Sequence, residues 1–564
     1  MKGKRFWGRS LAILTLWLSI WNGLTVDEAW TAAKAASKKE GSRNSVIVLM
    51  VDGAGSAHTT IARWYKGEPL ALDKMLLSGF RTYSTDSLIT DSAPAATAFA
   101  TGHKTNDKYI GIYPSRVSIP GIPPVKEKWK SKPLATVLEA AKMAGKSVGL
   151  ITTTNVQHAS PAAFSAHVPD RDDYNEIAEQ QVYLGMDVVF GGGKRYLLPL
   201  ERKGKRTDGE DLVAVLKKRG YAFIETREEL LGLPPATQKV WGLFADGAMA
   251  YAFDRETLRS GEPSLAEMTR KALEILSRNP KGFFLFVEAG KVDWASHAND
   301  PIGVIGDLLA FDEAVKISLE FARKRPGTLV LAFADHGNGG MTLGSPKTNM
   351  TYAALPLEAL LEPLKKAKLT GEGVEAVLGP YPTEEKIKEV MKTYYGLGDL
   401  TSQEIESIQK AGKGFLNYVI GPMISSRSVI GWTTRGHSGE DLFLYYFGLN
   451  RPLPMMENTD IAGMISRHLG VDLSRTDQAL FVPADQAFSR LGAQIDIDAS
   501  DPKNKVLVIK QGGKTARLPF SKNILQINDK DYEMQGITIY APSADNGQGR
   551  VYVPLEAVKM FKKK

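Results

Sequence analysis

The stretch from Thr90 to Ala98 holds the residues whose chemistry is easiest to name. It reads Thr-Asp-Ser-Ala-Pro-Ala-Ala-Thr-Ala, so Asp91 and Ser92 stand at the start of a run of small, helix-forming residues. A helix N-terminus offers free N–H groups and the positive end of the helix dipole, and anions bind there. Serine and aspartate are also common helix caps. The pair alone therefore does not separate a nucleophile from a cap.

Carboxylates and imidazoles elsewhere in the chain favour the nucleophile. They stand at or just beyond the ends of predicted strands, and they are Asp52, Glu288, Asp293, His297, Asp335, His336 and His437. Asp293 and His297 are four residues apart and would face the same way on a helix. Imidazole and carboxylate suit zinc, and an all-oxygen set suits magnesium. Each residue alone is more often a surface acid or a core histidine, but the set predicts a metal centre around Ser92.

The remaining histidines and one arginine complete the candidate site. Four of the eight histidines lie in polar loops of this kind, namely His158, His297, His336 and His437. The other four are predicted to be structural, namely His58, His103, His167 and His468. Arg171 lies in an acidic run, where a solvated ion pair is the usual interpretation. A guanidinium is nevertheless well suited to bind a tetrahedral oxyanion through two parallel hydrogen bonds.

Five apolar runs are predicted to position these side chains. They cover residues 46–51, 148–153, 187–190, 283–287 and 329–334. A run that is apolar throughout suits a parallel strand covered by helices on both faces. Amphipathic stretches at 134–143 and 265–276 lie between the runs. The alternation predicts an α/β fold with a doubly wound, mostly parallel sheet flanked by helices, whose sites form at the carboxyl ends of the strands.

The 564 residues are enough for more than one domain. We predict a catalytic domain over residues 40–485, interrupted at about 350–430 by a polar, helical segment that we interpret as an inserted cap region. From 486 to 564 the chain has short alternating segments, with a turn signal at Gln511-Gly512-Gly513. This part is predicted to be a small β-rich domain.

Residues 1–35 are predicted to be a secretory signal peptide. Basic residues lead, an apolar run covers 11–20, and Ala33-Lys34-Ala35 fits a small-x-small cleavage site. The run is short for a membrane span, although an uncleaved anchor is the alternative. We therefore expect a secreted, cell-surface or periplasmic protein. The chain contains no cysteine, so disulfides, thiolate ligands and lipoprotein-type lipidation are excluded.

Composition supports a globular protein rather than a nucleic-acid-binding one. Hydrophobic residues make up 43% and charged residues 24% of the chain, which is ordinary for a soluble domain. The formal charge of +8 includes a cluster near the N-terminus and a Lys562-Lys563-Lys564 tail. That balance is too mild and too dispersed to predict nucleic acid as a partner.

In order and spacing these motifs resemble the alkaline phosphatase family, over roughly residues 45–450. Asp91-Ser92-Ala93 matches its nucleophile motif. The resemblance implies a hydrolase that transfers the phosphoryl group of small phosphate monoesters to Ser92 and then to water. It implies that Arg171 and Asp91 take part in phosphate binding. We also expect a homodimer.

The resemblance further implies two zinc ions and one magnesium ion, with cobalt as an alternative at the third site. The zinc ion that activates water would be held by Asp293, His297 and His437. The zinc ion that activates the serine would be held by Asp52, Asp335 and His336. Magnesium would be held by Asp52, Ser160 and Glu288.

Two positions depart from the best-known bacterial pattern of the family. His158, predicted to act in the second shell of the magnesium site, stands where many bacterial members have aspartate. Trp294, predicted to lie beside the substrate, stands where lysine or histidine is common. These two differences from the family pattern are expected to affect phosphate affinity and magnesium binding. They do not change the class of reaction that the resemblance implies.

The C-terminal segment carries a separate resemblance. Residues 549–558 look like the end of the stalk domain that resembles the N-terminal domain of copper amine oxidases. No metal cluster marks this segment, so copper is not predicted. Spacing or cell-surface association is one role expected for it, and a packing appendage is the alternative.

The same residues argue against three alternative functions. A sulfatase needs a Pro and an Arg at fixed spacing after its nucleophile, and the arginine is missing after Ser92. Related phosphodiesterases lack the magnesium ligands, which Ser160 and Glu288 would supply. A non-catalytic, metal-held surface protein would not need both Ser92 and Arg171.

Overall fold

A ten-stranded sheet forms the centre of the molecule in the computed structural model, which describes residues 44–542 and 549–563. The first fourteen strands in chain order are β1 (Ser45–Val51), β2 (Leu76–Arg81), β3 (Ser147–Asn155), β4 (Val188–Gly192), β5 (Ala222–Ile224), β6 (Val240–Leu243), β7 (Phe283–Ala289), β8 (Thr328–Ala334), β9 (Gly337–Asn338), β10 (Thr342–Leu343), β11 (Ile430–Gly431), β12 (His437–Ser438), β13 (Leu442–Phe447) and β14 (Met456–Glu457). The spatial order is β14-β2-β13-β8-β1-β7-β3-β4-β6-β5. The strands from β8 to β5 in this order are mutually parallel, and β13 is antiparallel to both of its neighbours.

The predicted fold class is confirmed, because the apolar runs are the central strands of this sheet. β1, β7 and β8 are buried along their whole length, as expected for strands covered on both faces. The helices of this part of the chain are α1 (Ser56–Lys66), α2 (Ser92–Thr101), α3 (Val137–Met143), α4 (Ala159–Ala163), α5 (Tyr174–Leu184), α6 (Leu212–Lys218), α7 (Arg227–Leu231), α8 (Ala252–Leu258), α9 (Leu265–Leu276), α10 (Lys291–His297) and α11 (Pro301–Lys324).

The segment predicted as an inserted cap is helical. It contains α12 (Leu357–Lys366), α13 (Gly371–Leu378), α14 (Glu384–Val390), α15 (Ser402–Lys410) and α16 (Leu416–Arg427). It leaves the catalytic part after β10 and returns at β11, and these two strands pair with each other. The insertion therefore begins and ends at one point, next to the loop that carries His437.

The C-terminal part follows α17 (Asp460–Leu469) and α18 (Leu473–Leu480). It consists of small antiparallel sheets together with α19 (Ala484–Ser489) near its start and α20 (Leu555–Lys563) at its end. Its strands are β15 (Val482–Pro483), β16 (Gln494–Asp498), β17 (Val506–Gln511), β18 (Lys514–Pro519), β19 (Ile524–Ile527), β20 (Lys530–Glu533), β21 (Ile539–Ala541) and β22 (Arg550–Val553). Gly512 lies in the β17–β18 turn with a φ of 57°, which glycine adopts without strain.

This C-terminal part packs directly on the catalytic part. Lys522 Nζ lies 2.9 Å from a carboxylate oxygen of Glu210 and 3.2 Å from one of Glu179 on α5. Arg219 forms a further ion pair with Glu533. The resemblance to a stalk domain stays a prediction, and so do the domain boundaries. The role of the C-terminal part also stays a prediction.

The predicted signal peptide lies outside the described residues. Within residues 44–542 and 549–563, none of the helices is both long and apolar enough to cross a membrane.

Candidate active site

Ser92 is the first residue of α2, and Asp91 precedes it in an extended conformation. The helix is made mostly of alanine and threonine, and this small-residue composition lets it be buried along its whole length. The Ser92 side chain lies at the inner end, 3.0 Å from Nε2 of His336 and 3.4 Å from Oδ1 of Asp52. The predicted nucleophile therefore lies among predicted metal ligands.

The first ligand group forms because two neighbouring strands end side by side. Val51 of β1 pairs with Ala334 of β8, so the residues that follow them, Asp52 and Asp335-His336, meet at one edge. Nε2 of His336 is 3.5 Å from Oδ1 of Asp52 and 3.4 Å from Oδ2 of Asp335. All three side chains are fully buried. Their ligand atoms are close enough to share one cation.

The second group is carried by α10, which follows β7 directly. Nε2 of His297 lies 3.4 Å from Oδ2 of Asp293, one helical turn earlier. His437 on β12 reaches the same carboxylate, with its Nε2 3.6 Å from Oδ1 of Asp293. The rings of His437 and His336 are stacked with centroids 3.7 Å apart. The two groups therefore adjoin, as the predicted ligand sets require.

The third group lies behind Asp52. Glu288, near the end of β7, and His158, which precedes α4, offer ligand atoms close to those of Asp52. Nδ1 of His158 is 3.9 Å from Oδ2 of Asp52. Ser160, on α4, is also fully buried. His158, predicted to act in the second shell of the magnesium site, thus lies beside Asp52.

Arg171 lies beside the serine and is held from two sides. Its Nη1 is 2.6 Å from each carboxylate oxygen of Asp91, and its Nη2 is 3.1 Å from Nε2 of His158. Burial would raise the pKa of Asp91, but Arg171 outweighs it and holds this pKa at about 2. Burial and the nearby Arg171 lower the pKa of His158 to about 3, so its ring is neutral. Nε2 of His158 can then accept the arginine hydrogen bond.

The groups around Asp52 fit cations because some of their buried polar atoms lack partners. Among the described residues of these two groups, four oxygen atoms have no hydrogen bond: Asp52 Oδ2, Ser160 Oγ, Glu288 Oε1 and Asp335 Oδ2. Buried groups of this kind are normally satisfied. Burial, together with Asp335, raises the pKa of Asp52 well above its ordinary value. Burial also raises the pKa of Glu288 to about 7. A bound cation would stabilise the charged form of both carboxylates and so counteract the effect of burial.

The structure adds contacts to Glu288 that the sequence did not suggest. Thr152, near the end of β3, donates a short hydrogen bond to Oε2 of Glu288, and Thr154 lies 3.4 Å from the same atom. The sequence does contain three threonines in succession, residues 152–154, at the end of an apolar run, and these hydroxyls could have been noted as hydrogen-bond donors. Their partner was not evident, because β3 and β7 are paired across more than a hundred residues.

Asp293 is held in place by residues from two other loops. Nδ2 of Asn338 donates to Oδ1 of Asp293 at 2.6 Å and to its peptide oxygen at 3.0 Å. Gly53 has a φ of 71°, and a Cβ there would lie 2.6 Å from the same Oδ1. Any larger side chain at residue 53 would therefore displace the carboxylate.

His58, predicted to be structural, connects the loop after β1 to α10. Its Nδ1 accepts a hydrogen bond from the peptide N–H of Gly55 at 3.1 Å, so its Nε2 is the protonated nitrogen. That nitrogen donates to Ser296 Oγ at 3.1 Å, and Ser296 donates to the peptide oxygen of Val292. The chain of bonds fixes α10 relative to Asp52.

A cleft of about 320 Å³ opens over these residues. The side chains around it are those of Asp91, Ser92, His158, Arg171, Asp293, Trp294, His297, Tyr418 and His437. Trp294 packs edge-on to His158, with ring centroids 6.2 Å apart. Tyr418 comes from α16 of the insertion and was not predicted. Its neighbours in the sequence carry no pattern that would have indicated it.

A serine at a buried helix N-terminus, an adjacent arginine and three groups of acids and histidines, all at the carboxyl edge of a doubly wound sheet, are typical of a metal-assisted phosphoryl-transfer hydrolase. The sequence profile of the alkaline phosphatase family matches residues 43–471. The chain therefore belongs to the alkaline phosphatase family, which hydrolyses phosphate monoesters.

Individual relatives agree with the family match. Alkaline phosphatase 3 of Bacillus subtilis is 33% identical over 472 residues, which cover 79% of this chain and 94% of the relative. Alkaline phosphatase 4 of the same organism is 34% identical over 81% of this chain and 95% of the relative. The crystal structure of Thermus thermophilus alkaline phosphatase superposes with a TM-score of 0.67 at 30% identity, covering 76% of this chain and 93% of that one.

Proposed function

We propose that this enzyme hydrolyses phosphate monoesters through a phosphorylated Ser92. The single observation that supports this most is the position of Ser92 Oγ, 3.0 Å from His336 and in one cleft with Arg171. Ser92 Oγ forms a bond to phosphorus while the bond from phosphorus to the alcohol oxygen breaks. Water then cleaves the bond between Ser92 and phosphorus and releases inorganic phosphate.

Arg171 holds the transferring group in both steps. A guanidinium has five N–H donors, and the contacts to Asp91 and His158 leave donors for two phosphoryl oxygens. Asp91 keeps Arg171 in position from the opposite side. Since these residues would contact only the phosphoryl group, we expect the enzyme to hydrolyse monoesters of many alcohols.

Two zinc sites and one magnesium site are proposed for the three groups. Asp293, His297 and His437 would hold one zinc ion, and Asp52, Asp335 and His336 the other. Asp52, Ser160 and Glu288 would hold magnesium, or cobalt, with His158 beside them. When bound, the zinc ions supply Lewis acidity that lowers the pKa of a hydroxyl or of water and neutralises the leaving oxygen.

The test is to trap the phosphoenzyme. The protein is mixed with labelled p-nitrophenyl phosphate, quenched at acid pH and digested, and the phosphorylated peptide is identified by mass spectrometry. We expect the label on Ser92 and its loss in Ser92→Ala, with turnover reduced by orders of magnitude and zinc content unchanged. Ser407→Ala, at an exposed serine of the insertion, is the control. A fully active Ser92→Ala enzyme without a labelled peptide would overturn the proposal.

We also propose that the protein is exported by its N-terminal segment, because basic residues, an apolar run and Ala33-Lys34-Ala35 follow in the order of a signal peptide. N-terminal sequencing of protein recovered outside the cytoplasm would test this. A start at or near residue 36 is expected. Recovery only from the cytoplasm with residues 1–35 intact would contradict it.

A homodimer is proposed on an exposed apolar face of the sheet edge, formed by Leu77, Phe443, Tyr445 and Met455. In the pairing of β13 with β2, Tyr445 lies opposite Leu77. The alternate residues of β13 are buried, whereas Phe443 is exposed and Tyr445 is partly exposed while also packing against the core. Leu77, Phe443 and Met455 are each about half exposed. A contiguous apolar face of this kind suits a two-fold interface with a second copy.

A further inference from the structure

We infer that Tyr418 forms a binding subsite for the alcohol part of the substrate and that it favours alcohols with a planar ring, such as nucleosides. This inference rests on the proposed function and adds a substrate class to it. It starts from the cleft lining, in which Trp294 and Tyr418 are the two large aromatic side chains other than histidine.

Tyr418 lies on the side of the cleft from which the alcohol departs. In-line attack by Ser92 places the leaving oxygen on the far side of phosphorus from Ser92. Ser92 contacts the group of Asp52 and His336. The other side of the cleft is therefore that of Asp293, His297 and His437. Tyr418 lines the cleft together with these three residues and is connected to His297 through Arg435.

Tyr418 is held by the same loop that carries His437. The peptide oxygen of Arg435 accepts a hydrogen bond from Nδ1 of His297 at 2.5 Å. Nη2 of the same arginine donates to the peptide oxygen of Tyr418 at 3.0 Å, and its guanidinium lies 5.4 Å from the centre of the Tyr418 ring. Arg435 does not line the cleft. The ring is thus fixed from behind while its other side faces the cleft.

The exposed surface of Tyr418 is suited to stacking. The side chain is 37% exposed, and its ring packs against that of Phe415, 5.8 Å away. Among the described residues, no group forms a hydrogen bond with its hydroxyl. Stacking of a base on an aromatic ring tightens binding by about 5-fold or more and does not depend on the identity of the base. A ring that is already immobilised loses little entropy on binding.

The test compares two substrates with similar leaving oxygens, adenosine 5′-monophosphate and glycerol 3-phosphate, in the holoenzyme. The ratio of their kcat/KM values cancels effects on the phosphoryl group. We expect Tyr418→Ala to lower this ratio at least about 5-fold, the lower end of the stacking contribution. Tyr418→Phe should keep the ratio, because the ring is retained. Zinc content and inhibition by inorganic phosphate should not change in either variant.

Tyr381→Ala is the matched control, because Tyr381 is an almost fully exposed tyrosine of the same insertion that does not line the cleft. Its ratio should equal that of the parent enzyme. An unchanged ratio in Tyr418→Ala, or an equal fall in Tyr381→Ala, would overturn the subsite. Inactivity of the parent enzyme on both substrates would instead contradict the proposed function.

Discussion

Arg171 and Asp91 are joined by a two-point contact in which Nη1 of the arginine lies 2.6 Å from each carboxylate oxygen. Asp91 adjoins Ser92 in the chain, so the proposed nucleophile and the proposed anion-binding arginine are positioned by one residue. The contact is largely buried, and its geometry therefore depends little on solvent. The phosphoryl group would lie between a helix N-terminus and a guanidinium whose orientation is already set.

The first prediction concerns this arginine. Arg171→Ala should raise KM and weaken inhibition by inorganic phosphate by about 1–3 kcal/mol, the range for the loss of charged hydrogen bonds. Zinc content should stay the same, because Arg171 is outside the three ligand groups. Phosphate inhibition constants and metal analysis would measure both effects. Arg116→Ala, at an exposed arginine, is the control. Unaltered phosphate inhibition would show that Arg171 does not bind the substrate.

The second prediction concerns the third metal site. His158 is neutral and has an unpartnered Nδ1 that faces Asp52, so it brings no negative charge to this group. Magnesium depends on oxygen ligands and on water that it retains. The enzyme should therefore bind magnesium weakly and gain activity when magnesium or cobalt is added.

Replacing both unusual residues tests that explanation. His158→Asp combined with Trp294→Lys should tighten magnesium binding and reduce the activation. Equilibrium dialysis and activity titration on both forms would measure this, with Trp294→Lys alone as the comparison. Equal magnesium affinity in the double variant and the parent would mean that these residues do not determine the third site.

Several of the proposed metal ligands were predictable because they lie where a recognisable apolar run ends. Asp52 and Asp335-His336 follow buried strands, and parallel strands bring their carboxyl ends to one edge. The pairing of Val51 with Ala334 then determines which of these residues meet. The helix that starts at Ser92 was predictable for a similar reason, from its small residues and the preceding aspartate.

Other parts of the site depend on contacts between distant segments, and no local pattern shows which residues will meet. His437 reaches Asp293 because β12 pairs with β9, a contact across about a hundred residues. Tyr418 reaches the cleft only because the insertion returns beside β11. The contact between Lys522 and α5 likewise depends on how the C-terminal part packs. A periodic pattern does not encode such contacts, because either partner alone looks like an ordinary surface residue.

The third prediction concerns the apolar face of the sheet edge. Leu77→Arg should shift the protein from dimer to monomer, because a charge at the centre of an apolar interface loses its solvation without gaining a partner. Analytical ultracentrifugation across a range of concentrations would measure the shift. Leu200→Arg is a matched control, because Leu200 has a similar exposure on a different part of the surface. A parent protein that is monomeric, or a variant that remains dimeric, would contradict the proposed interface.

The last prediction concerns a buried ion pair away from the cleft. Nδ1 of His167 lies 2.8 Å from the peptide oxygen of Gly111, and its Nε2 lies 3.0 Å from a carboxylate oxygen of Glu139. Both neighbours are acceptors, so both ring nitrogens donate and the imidazole is charged. Burial lowers the pKa of His167, but Glu139 and the Gly111 carbonyl outweigh it and raise this pKa above its ordinary value.

His167→Gln should destabilise the fold by about 3–5 kcal/mol at pH 6, since it leaves Glu139 buried without its cation. The folded pKa is raised, so the stabilisation is fully present below the unfolded pKa of about 6.5 and is lost as pH rises through the folded pKa. The difference in unfolding free energy between parent and variant should therefore shrink towards pH 9. Urea unfolding of both holoenzymes at several pH values would measure it. A difference that is constant from pH 5.5 to 9.5 would mean that His167 is neutral in the folded protein.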